Sequence, residues 1–192
     1  MIFDGLFNRR QLRTAHSLYR EAAASARRRE LYLDCGVPDT VDGRFDMVVL
    51  HAFLLLRRLR REDRPGIRLG QGLFDVMFDH FDQSLREMGV GDLGVGRRVK
   101  RMAEAFYGRV AAYDEALENP ADDALAGALG RNVYGATLPG SAELARLVHY
   151  VHAAEESLVH QSARALFEGR VAFPPVLGAP GPSEAAETPE SR

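Results

Sequence analysis

The sequence predicts an all-α protein, a single-domain irregular bundle of about seven helices followed by a disordered C-terminal tail. Two observations predict this fold class. Apolar residues recur at three- and four-residue spacing through most of the chain, and no segment shows the alternation typical of a strand. The chain has 192 residues, 46% of them hydrophobic, which is enough for one buried core. We therefore assign residues 1–173 to one helical domain.

Three helical segments are predicted before residue 61. Residues 8–26 place small and apolar side chains on one side and arginines on the other, and a short apolar segment follows at residues 31–33. The third segment, residues 41–60, carries the widest apolar stripe, so we expect it at the centre of the bundle. Asp39 or Thr40 can cap its first turn.

Two residues of the third segment need a separate explanation. Gly43 costs a helix about 1 kcal/mol relative to alanine, which suggests a close neighbour or a frayed first turn. His51 lies beside the apolar stripe, and we interpret it as a core histidine with satisfied hydrogen bonds rather than a ligand. Residues 62–66 predict a loop because proline and glycine stand together there.

The strongest amphipathic patterns belong to two helices that begin near Leu73 and Val95 and meet at a glycine-rich turn, residues 89–96. Gly89 stands where a left-handed residue would end the first helix, and Asp92 can accept hydrogen bonds from the free amides of the second. The turn also matches the dinucleotide fingerprint G-x-G-x-x-G. That fingerprint works after a β-strand, and this one follows a helix, so we interpret it as a structural turn.

The rest of the chain predicts two further helices and the tail. A weaker helix at residues 121–132 follows Pro120, and residues 134–140 predict a loop. One long helix, capped by Ser141, should continue as far as Leu166. Tail residues are rich in Pro, Ala and Glu and cannot bury enough apolar surface to offset the entropy of ordering; they are residues 174–192.

Charge and cysteine content restrict the setting. Residues 1–101 carry 19 basic and 14 acidic side chains, whereas residues 102–192 carry 6 and 13. The basic half could face an anionic surface, although a solvated arginine-rich helix face explains it equally well. Cys35 is the single cysteine, so no internal disulfide can form, and the sequence lacks both a secretion signal and a membrane-length apolar run. We expect a cytoplasmic protein.

Two clusters could in principle bind a metal. One helix face carries three carboxylates, Asp75, Asp79 and Asp82. The better candidate is a set of histidines and a glutamate in the last long helix, namely His149, His152, Glu156 and His160. Both clusters are more simply explained as solvent-exposed polar faces of helices. Metal sites in bundles draw ligands from several helices, and no E-x-x-H motif is present. The sequence shows no nucleophile–base arrangement, so we predict no metal, no cofactor and no enzymatic activity.

Two long strings resemble the ubiquinol–cytochrome c reductase assembly chaperone family. The first reads VPDT-x-DGRF over residues 37–45, and the second reads LREMGVGD over residues 85–92, followed by AFYGR at residues 105–109. The resemblance covers about residues 10–170. It implies an all-helical chaperone that binds newly made cytochrome b near the membrane until the complex is assembled, and it implies a bacterial member without catalytic residues.

The resemblance suggests an interaction surface but does not define one. The matched polar positions are Asp39, Asp42, Arg44, Arg86, Glu87, Asp92, Tyr107 and Arg109. Capping and salt bridges would explain them as well as client binding would. Partners are expected to be cytochrome b or another subunit of that complex, with peripheral contact to the cytoplasmic face of the inner membrane or to the ribosome, and no DNA.

The mechanism that we infer is docking of an apolar client segment in a groove left by the helix faces. Two other function classes stay open at this point: a metal- or haem-dependent helical enzyme that uses the histidine cluster, and a lipid-surface binding module without a protein client. Metal analysis and vesicle flotation, respectively, would identify them.

Overall fold

The computed structural model describes residues 2–119 and 122–176, and the side chains of residues 9–119 and 123–176. These residues form α-helices and connecting turns without a strand, which confirms the predicted all-α class. The helices are α1 (Ile2–Ala26), α2 (Arg29–Leu33), α3 (Val41–Arg60), α4 (Asp63–Glu87), α5 (Asp92–Glu118), α6 (Asp122–Leu129), α7 (Ser141–His160) and α8 (Ala163–Phe167), with a π-helical turn at Gly130–Tyr134. None of the described helices is both long and apolar enough to cross a membrane.

Helix α3 lies at the centre, as its wide apolar stripe predicts. It packs against α1, α4, α5 and α7, and α1 and α4 also pack extensively against each other. Its apolar side chains are almost all buried because neighbours cover it on several sides. The bounds predicted for α3 are those observed, and Thr40 is its N-cap: the Thr40 Oγ1 atom accepts a hydrogen bond from Gly43 N at 3.1 Å.

Two glycines permit close backbone approaches at the ends of α3. A Cβ atom on Gly43 would lie 2.0 Å from the carbonyl oxygen of Pro38, so the predicted close neighbour is confirmed. A Cβ on Gly66 would lie 1.9 Å from the carbonyl oxygen of Leu59. That second contact lets α4 start at Asp63, directly after α3. The loop predicted at residues 62–66 was therefore wrong: proline is tolerated in a first helical turn, where its missing N–H is not needed.

The glycine-rich turn between α4 and α5 is structural, as predicted. Gly89 has φ of 80° and ends α4, and its amide hydrogen bonds to the Arg86 carbonyl at 2.9 Å. The expectation that Asp92 caps α5 was wrong. Gly91 is the N-cap and makes no side-chain cap, and Asp92 instead accepts a hydrogen bond from Arg86 across the turn. Arg86 also contacts Asp82 at 2.6 Å, so the guanidinium joins the last turn of α4 to the first of α5.

The C-terminal part departs from prediction in two places. Gly140, not Ser141, precedes the first turn of α7, where its amide donates to Glu143 Oε2 at 2.7 Å. The predicted long helix breaks after His160, and Ser162 starts α8 by accepting from Ala165 N at 3.2 Å. Gln161 has an extended backbone at the break, and its side chain donates to Ala172 O at 2.7 Å and accepts from Ala172 N at 2.9 Å.

The described chain continues slightly past the predicted domain end. Arg28 donates to the carbonyl oxygens of Phe173 and Pro174, and Val176 packs against the core. The prediction of disorder from residue 174 onwards concerns mainly residues 177–192, which lie outside the described residues. The division of the chain at residue 173 stays a prediction.

Candidate functional site

A groove of about 980 Å³ opens between α3, α4 and α5, with α1 at one edge. Its apolar lining comes from α3, α4, α5 and the residue that ends α4. The principal apolar residues are Val41, Phe45, Phe81, Leu85, Met88 and Met102. The C-terminal half of α4 and the start of α3 are thus only partly covered by the rest of the bundle.

Apolar side chains are exposed at the mouth of the groove and buried at its floor. Val41 is 68% exposed and Met88 is 56% exposed. Below them Phe81 and Leu85 are nearly buried, and the Phe45 and Phe81 rings lie 5.1 Å apart between centroids. A concave apolar surface with flexible methionine at its edge is typical of a site that receives a hydrophobic partner.

The groove rim is basic. Five arginines line it, namely Arg27, Arg44, Arg98, Arg101 and Arg109. Arg44 is neutralised by Asp39 at 2.6 Å, and the hydrogen bond from Arg44 holds the pKa of the Asp39 carboxyl below its usual range. Among the described residues, Arg27, Arg98 and Arg101 make no ion pair. The rim is therefore suited to the acidic end of a partner.

A buried acid–base pair lies beneath this rim. Arg109 Nη2 approaches Asp46 Oδ1 to 2.7 Å, and the same guanidinium lies over the Phe45 ring at 5.7 Å. Burial raises the pKa of Asp46 to about 7, despite the opposing effect of Arg109, and the neighbouring Asp42 raises it further. Asp46 is therefore a carboxylate that is only partly stabilised by its surroundings.

Hydrogen-bonding capacity remains unused around this pair. Within the described residues, two buried atoms have no hydrogen-bond partner, Arg109 Nε and the Tyr113 hydroxyl, and Asp46 Oδ1 has its ion pair with Arg109 Nη2 alone. Burial, with the charge of Asp46, raises the pKa of Tyr113, so its hydroxyl stays protonated and can donate. Buried polar atoms without partners are rare in folded proteins because each costs about 1–3 kcal/mol. Asp46 and Arg109 line the groove, whereas Tyr113 is fully buried and is not a lining residue.

The structure places half of the sequence-predicted site residues at the groove. Asp42, Arg44 and Arg109 line it, and Asp39 reaches its rim through Arg44. These four residues come from the turn before α3, from α3 and from α5. They are brought together by the packing of α3 against α5.

The other four predicted residues lie outside the lining. Arg86, Glu87 and Asp92 occupy the turn on either side of Met88, where Glu87 accepts from Gln83 at 3.0 Å. Tyr107 is 60% exposed and stacks on Phe74 at 5.6 Å. The client-binding role of all eight residues stays a prediction.

Sequence reasoning missed the centre of the groove. Asp46 was not selected, although an acid inside the apolar run of α3 was a visible signal. Tyr19 and His80 were also missed; Tyr19 hydrogen bonds to His80 Nδ1 at 3.0 Å and joins α1 to α4 beside the groove. No sequence pattern connects residues this far apart.

The metal candidates are not assembled into a site. His149, His152, Glu156 and His160 are exposed on α7, and no group of three or more potential ligands among the described residues is placed to hold one ion. Cys35 is buried, and burial raises the pKa of its thiol to about 11, which keeps it protonated at neutral pH.

Comparisons with known proteins agree with this architecture. A family model described as "Ubiquinol-cytochrome C chaperone" matches residues 33–173. The chain is similar to ubiquinol–cytochrome c reductase complex assembly factor 1 of Xenopus laevis, with 30% identity over 122 residues, 64% of this chain and 60% of that protein. For the Homo sapiens protein the identity is 28% over 149 residues, 77% of this chain and 50% of that one. The chain thus spans about half the length of these curated relatives.

A solved structure extends the similarity to the whole fold. The crystal structure of the Cbp3 homologue from Brucella abortus superimposes with a TM-score of 0.79 at 37% identity, covering 92% of this chain and 98% of that one. The family match includes α3, α4 and α5, the three helices that form the groove.

Proposed function

Because the chain belongs to the ubiquinol–cytochrome c chaperone family, we propose that it is an assembly chaperone that holds an apolar segment of newly made cytochrome b in the α3–α4–α5 groove. Its action is binding and release rather than catalysis. The observation that carries the proposal is the groove itself, a concave surface where exposed Val41 and Met88 lie beside the Phe45 and Phe81 rings.

The groove matches the chemistry of such a client. Cytochrome b is a membrane protein, so its segments expose apolar side chains until they are inserted. A helix laid in the groove would cover Val41, Met88 and Met102, with roughly 25 cal/mol gained per Å² of apolar surface removed from water. Asp46 and Arg109 would meet a polar group of the client, and the arginines of the rim would meet an acidic flank.

The proposal includes a place of action. We propose that the protein works peripherally at the cytoplasmic face of the inner membrane or beside the ribosome, where the client emerges. The excess of basic residues in its N-terminal half supports this location, since polybasic surfaces are attracted to anionic lipid and to RNA.

Affinity capture from detergent-solubilised membranes of the native host tests the client. The tagged wild type is compared with a Val41→Asp/Met88→Asp variant, which adds charge at the groove mouth without disturbing the core because both side chains are exposed. A matched control, Leu33→Asp/Leu138→Asp, adds the same charge at exposed apolar residues outside the groove. Circular dichroism confirms that each variant is folded.

Mass spectrometry of the captured material gives the result. We expect cytochrome b with the wild type and with the control, and a loss of about tenfold or more with the groove variant, since a charge buried in an apolar interface costs several kcal/mol. Equal capture by all three proteins would remove the groove from the proposal. Capture of no subunit of the complex by the folded wild type would overturn the client itself.

A further inference from the structure

A second cavity, separate from the groove, lies between α1, α4 and α8 and has a volume of about 360 Å³. It shares no lining residue with the groove. Three arginines border it: Arg10 from α1 and Arg64 and Arg68 from the first turns of α4. Leu69 and Phe167 give it an apolar wall. The cavity therefore combines concentrated positive charge with a hydrophobic surface.

The three guanidinium groups have no partners among the described residues: none makes an ion pair or a side-chain hydrogen bond there. Arg57, by contrast, is engaged by Asp114 and Glu155, both at 2.8 Å. Three charges around one concavity, without a partner among the described side chains, create a positive potential that attracts an anion.

The other polar group of the cavity does not alter this preference. Thr14 directs its hydroxyl to the backbone, with Oγ1 lying 3.1 Å from Arg10 O and 3.4 Å from Phe167 O. Its proton is therefore used inside the fold, and the free donors of the cavity come from the arginines and from Gln11. An occupant must supply acceptors, and the planar guanidinium group is best suited to phosphate or carboxylate oxygens.

Two exposed aliphatic residues adjoin lining residues of the cavity in sequence. Leu12 on α1 is 48% exposed and lies in sequence between the lining residues Gln11 and Thr14. Ile67 on α4 is 59% exposed and directly precedes Arg68. Arginines that alternate with exposed aliphatic side chains are typical of helices that rest on a lipid surface, where the cations meet phosphates and the aliphatic groups enter the interface.

We propose that this α1–α4 cavity binds the phosphate headgroup of an anionic phospholipid, with Arg10, Arg64 and Arg68 around the phosphate and the glycerol part against Leu69 and Phe167. The volume of about 360 Å³ lies within the range of small-ligand pockets. The inference gives a site to the membrane contact proposed above and rests on that contact alone; it is independent of the client.

Flotation with lipid vesicles tests the site. Purified wild type is mixed with phosphatidylcholine vesicles or with vesicles of phosphatidylcholine and phosphatidylglycerol. The pocket variant is Arg10→Gln/Arg64→Gln/Arg68→Gln, and the charge-matched control is Arg29→Gln/Arg97→Gln/Arg131→Gln, three exposed arginines outside both cavities. A further variant, Ile67→Ser, keeps every charge. Thermal unfolding shows that all four proteins are folded.

We expect the wild type to float only with phosphatidylglycerol. Each arginine at an anionic surface contributes roughly fivefold in partitioning, so the pocket variant should lose about 100-fold, whereas the control should lose less than about fivefold. Ile67→Ser should weaken flotation by about fivefold or more because an apolar side chain no longer enters the interface. Higher salt should weaken the wild type towards the level of the pocket variant.

Three outcomes would overturn the inference in different ways. If the wild type does not float with vesicles that contain phosphatidylglycerol, the proposed membrane contact is wrong. The proposal that the protein binds cytochrome b would not be affected. An equal loss of flotation in the pocket variant and the control would show that the total positive charge of the surface, and not a specific site, binds the lipid. Saturable calorimetric binding of glycerol 3-phosphate, lost in the pocket variant but without vesicle flotation, would identify a soluble phosphate ester as the ligand.

Discussion

Helix α3 carries two buried polar centres only five residues apart, and they differ in how completely they are satisfied. His51 is fully buried, with Nδ1 2.7 Å from Met47 O and Nε2 2.7 Å from the Tyr150 hydroxyl. Asp46 lines the groove, where its Oδ1 is paired with Arg109 Nη2 alone at 2.7 Å, and the neighbouring Tyr113 hydroxyl has no hydrogen-bond partner among the described residues. We call the centre at His51 closed because its polar groups are fully paired, and the centre at Asp46 open because its polar groups are only partly paired.

The titration behaviour of the two centres shows the same contrast. Burial lowers the pKa of His51 to about 4, which keeps the ring neutral: Nδ1–H donates to the carbonyl of Met47 and Nε2 accepts from Tyr150. Burial raises the pKa of Asp46 to about 7, so neither of its protonation states is strongly favoured at neutral pH. The closed centre stabilises one structure, whereas the open centre keeps unused interactions for a partner.

The largest expected effect breaks the closed centre. His51→Ala removes a fully buried ring and leaves the Tyr150 hydroxyl without its partner, so the free energy of unfolding should fall by about 3–5 kcal/mol. Met88→Ala, at the mouth of the groove, should change it by less than about 0.5 kcal/mol because Met88 is exposed. Urea denaturation measures both. Equal losses would contradict the division between a stabilising centre and an open one.

The second effect concerns pH and Asp46. The folded-state pKa of Asp46 is about 7 and its ordinary value is 3.8, so the stability contributed by proton binding is full below about pH 4 and is lost as the pH rises through 7. Asp46→Asn lacks this titration. Its stability relative to wild type should therefore increase by roughly 2–4 kcal/mol from pH 4 to pH 8.

Urea denaturation across this pH range checks the prediction. The groups that face Asp46, namely Arg109, Asp42 and Tyr113, stay in place in both proteins, so the difference isolates the carboxyl. A constant difference between the two proteins would show that Arg109 compensates the buried charge fully.

The sequence predicted α3 well because its signals are local. The helical period and the Thr40 cap lie within one segment, and both bounds were correct. The end of α7 depends instead on distant partners: Arg58 donates to the carbonyls of Leu158 and Gln161, and Gln161 bonds to Ala172. The apolar pattern continues through this break, and Ser162, the N-cap of α8, is a weak local signal beside that pattern.

The groove was only partly predictable for the same reason. Asp42, Arg44 and Arg109 were selected by their resemblance to a family pattern, and the fold brings them together. The importance of Asp46 depends on Arg109, which is far away in sequence on α5. An acid in an apolar stripe can be seen in the sequence, but whether the fold satisfies it cannot.

Two tyrosines, one beside each centre, allow the same comparison with a smaller expected change in stability. Tyr150→Phe removes the hydroxyl that hydrogen bonds to His51 Nε2 and should cost about 1–3 kcal/mol of unfolding free energy. Tyr113→Phe removes a hydroxyl that has no partner among the described residues, so it should be neutral or stabilising by up to about 1 kcal/mol. Denaturation of the two variants at one pH gives the result. A larger loss at Tyr113 would mean that its hydroxyl is already satisfied.

The smallest effect is expected at the turn between α4 and α5. Arg86, Glu87 and Asp92 are exposed, and the bonds from Arg86 to Asp82 and Asp92 hold the turn rather than line the groove. Exposed ion pairs contribute little, so Arg86→Ala/Glu87→Ala/Asp92→Ala should lower cytochrome b capture by less than about twofold. Capture reduced as far as in the Val41→Asp/Met88→Asp variant would instead place client contacts on the turn itself. In that case the open centre at Asp46 would lie at the edge of a larger interface that also includes the turn on either side of Met88.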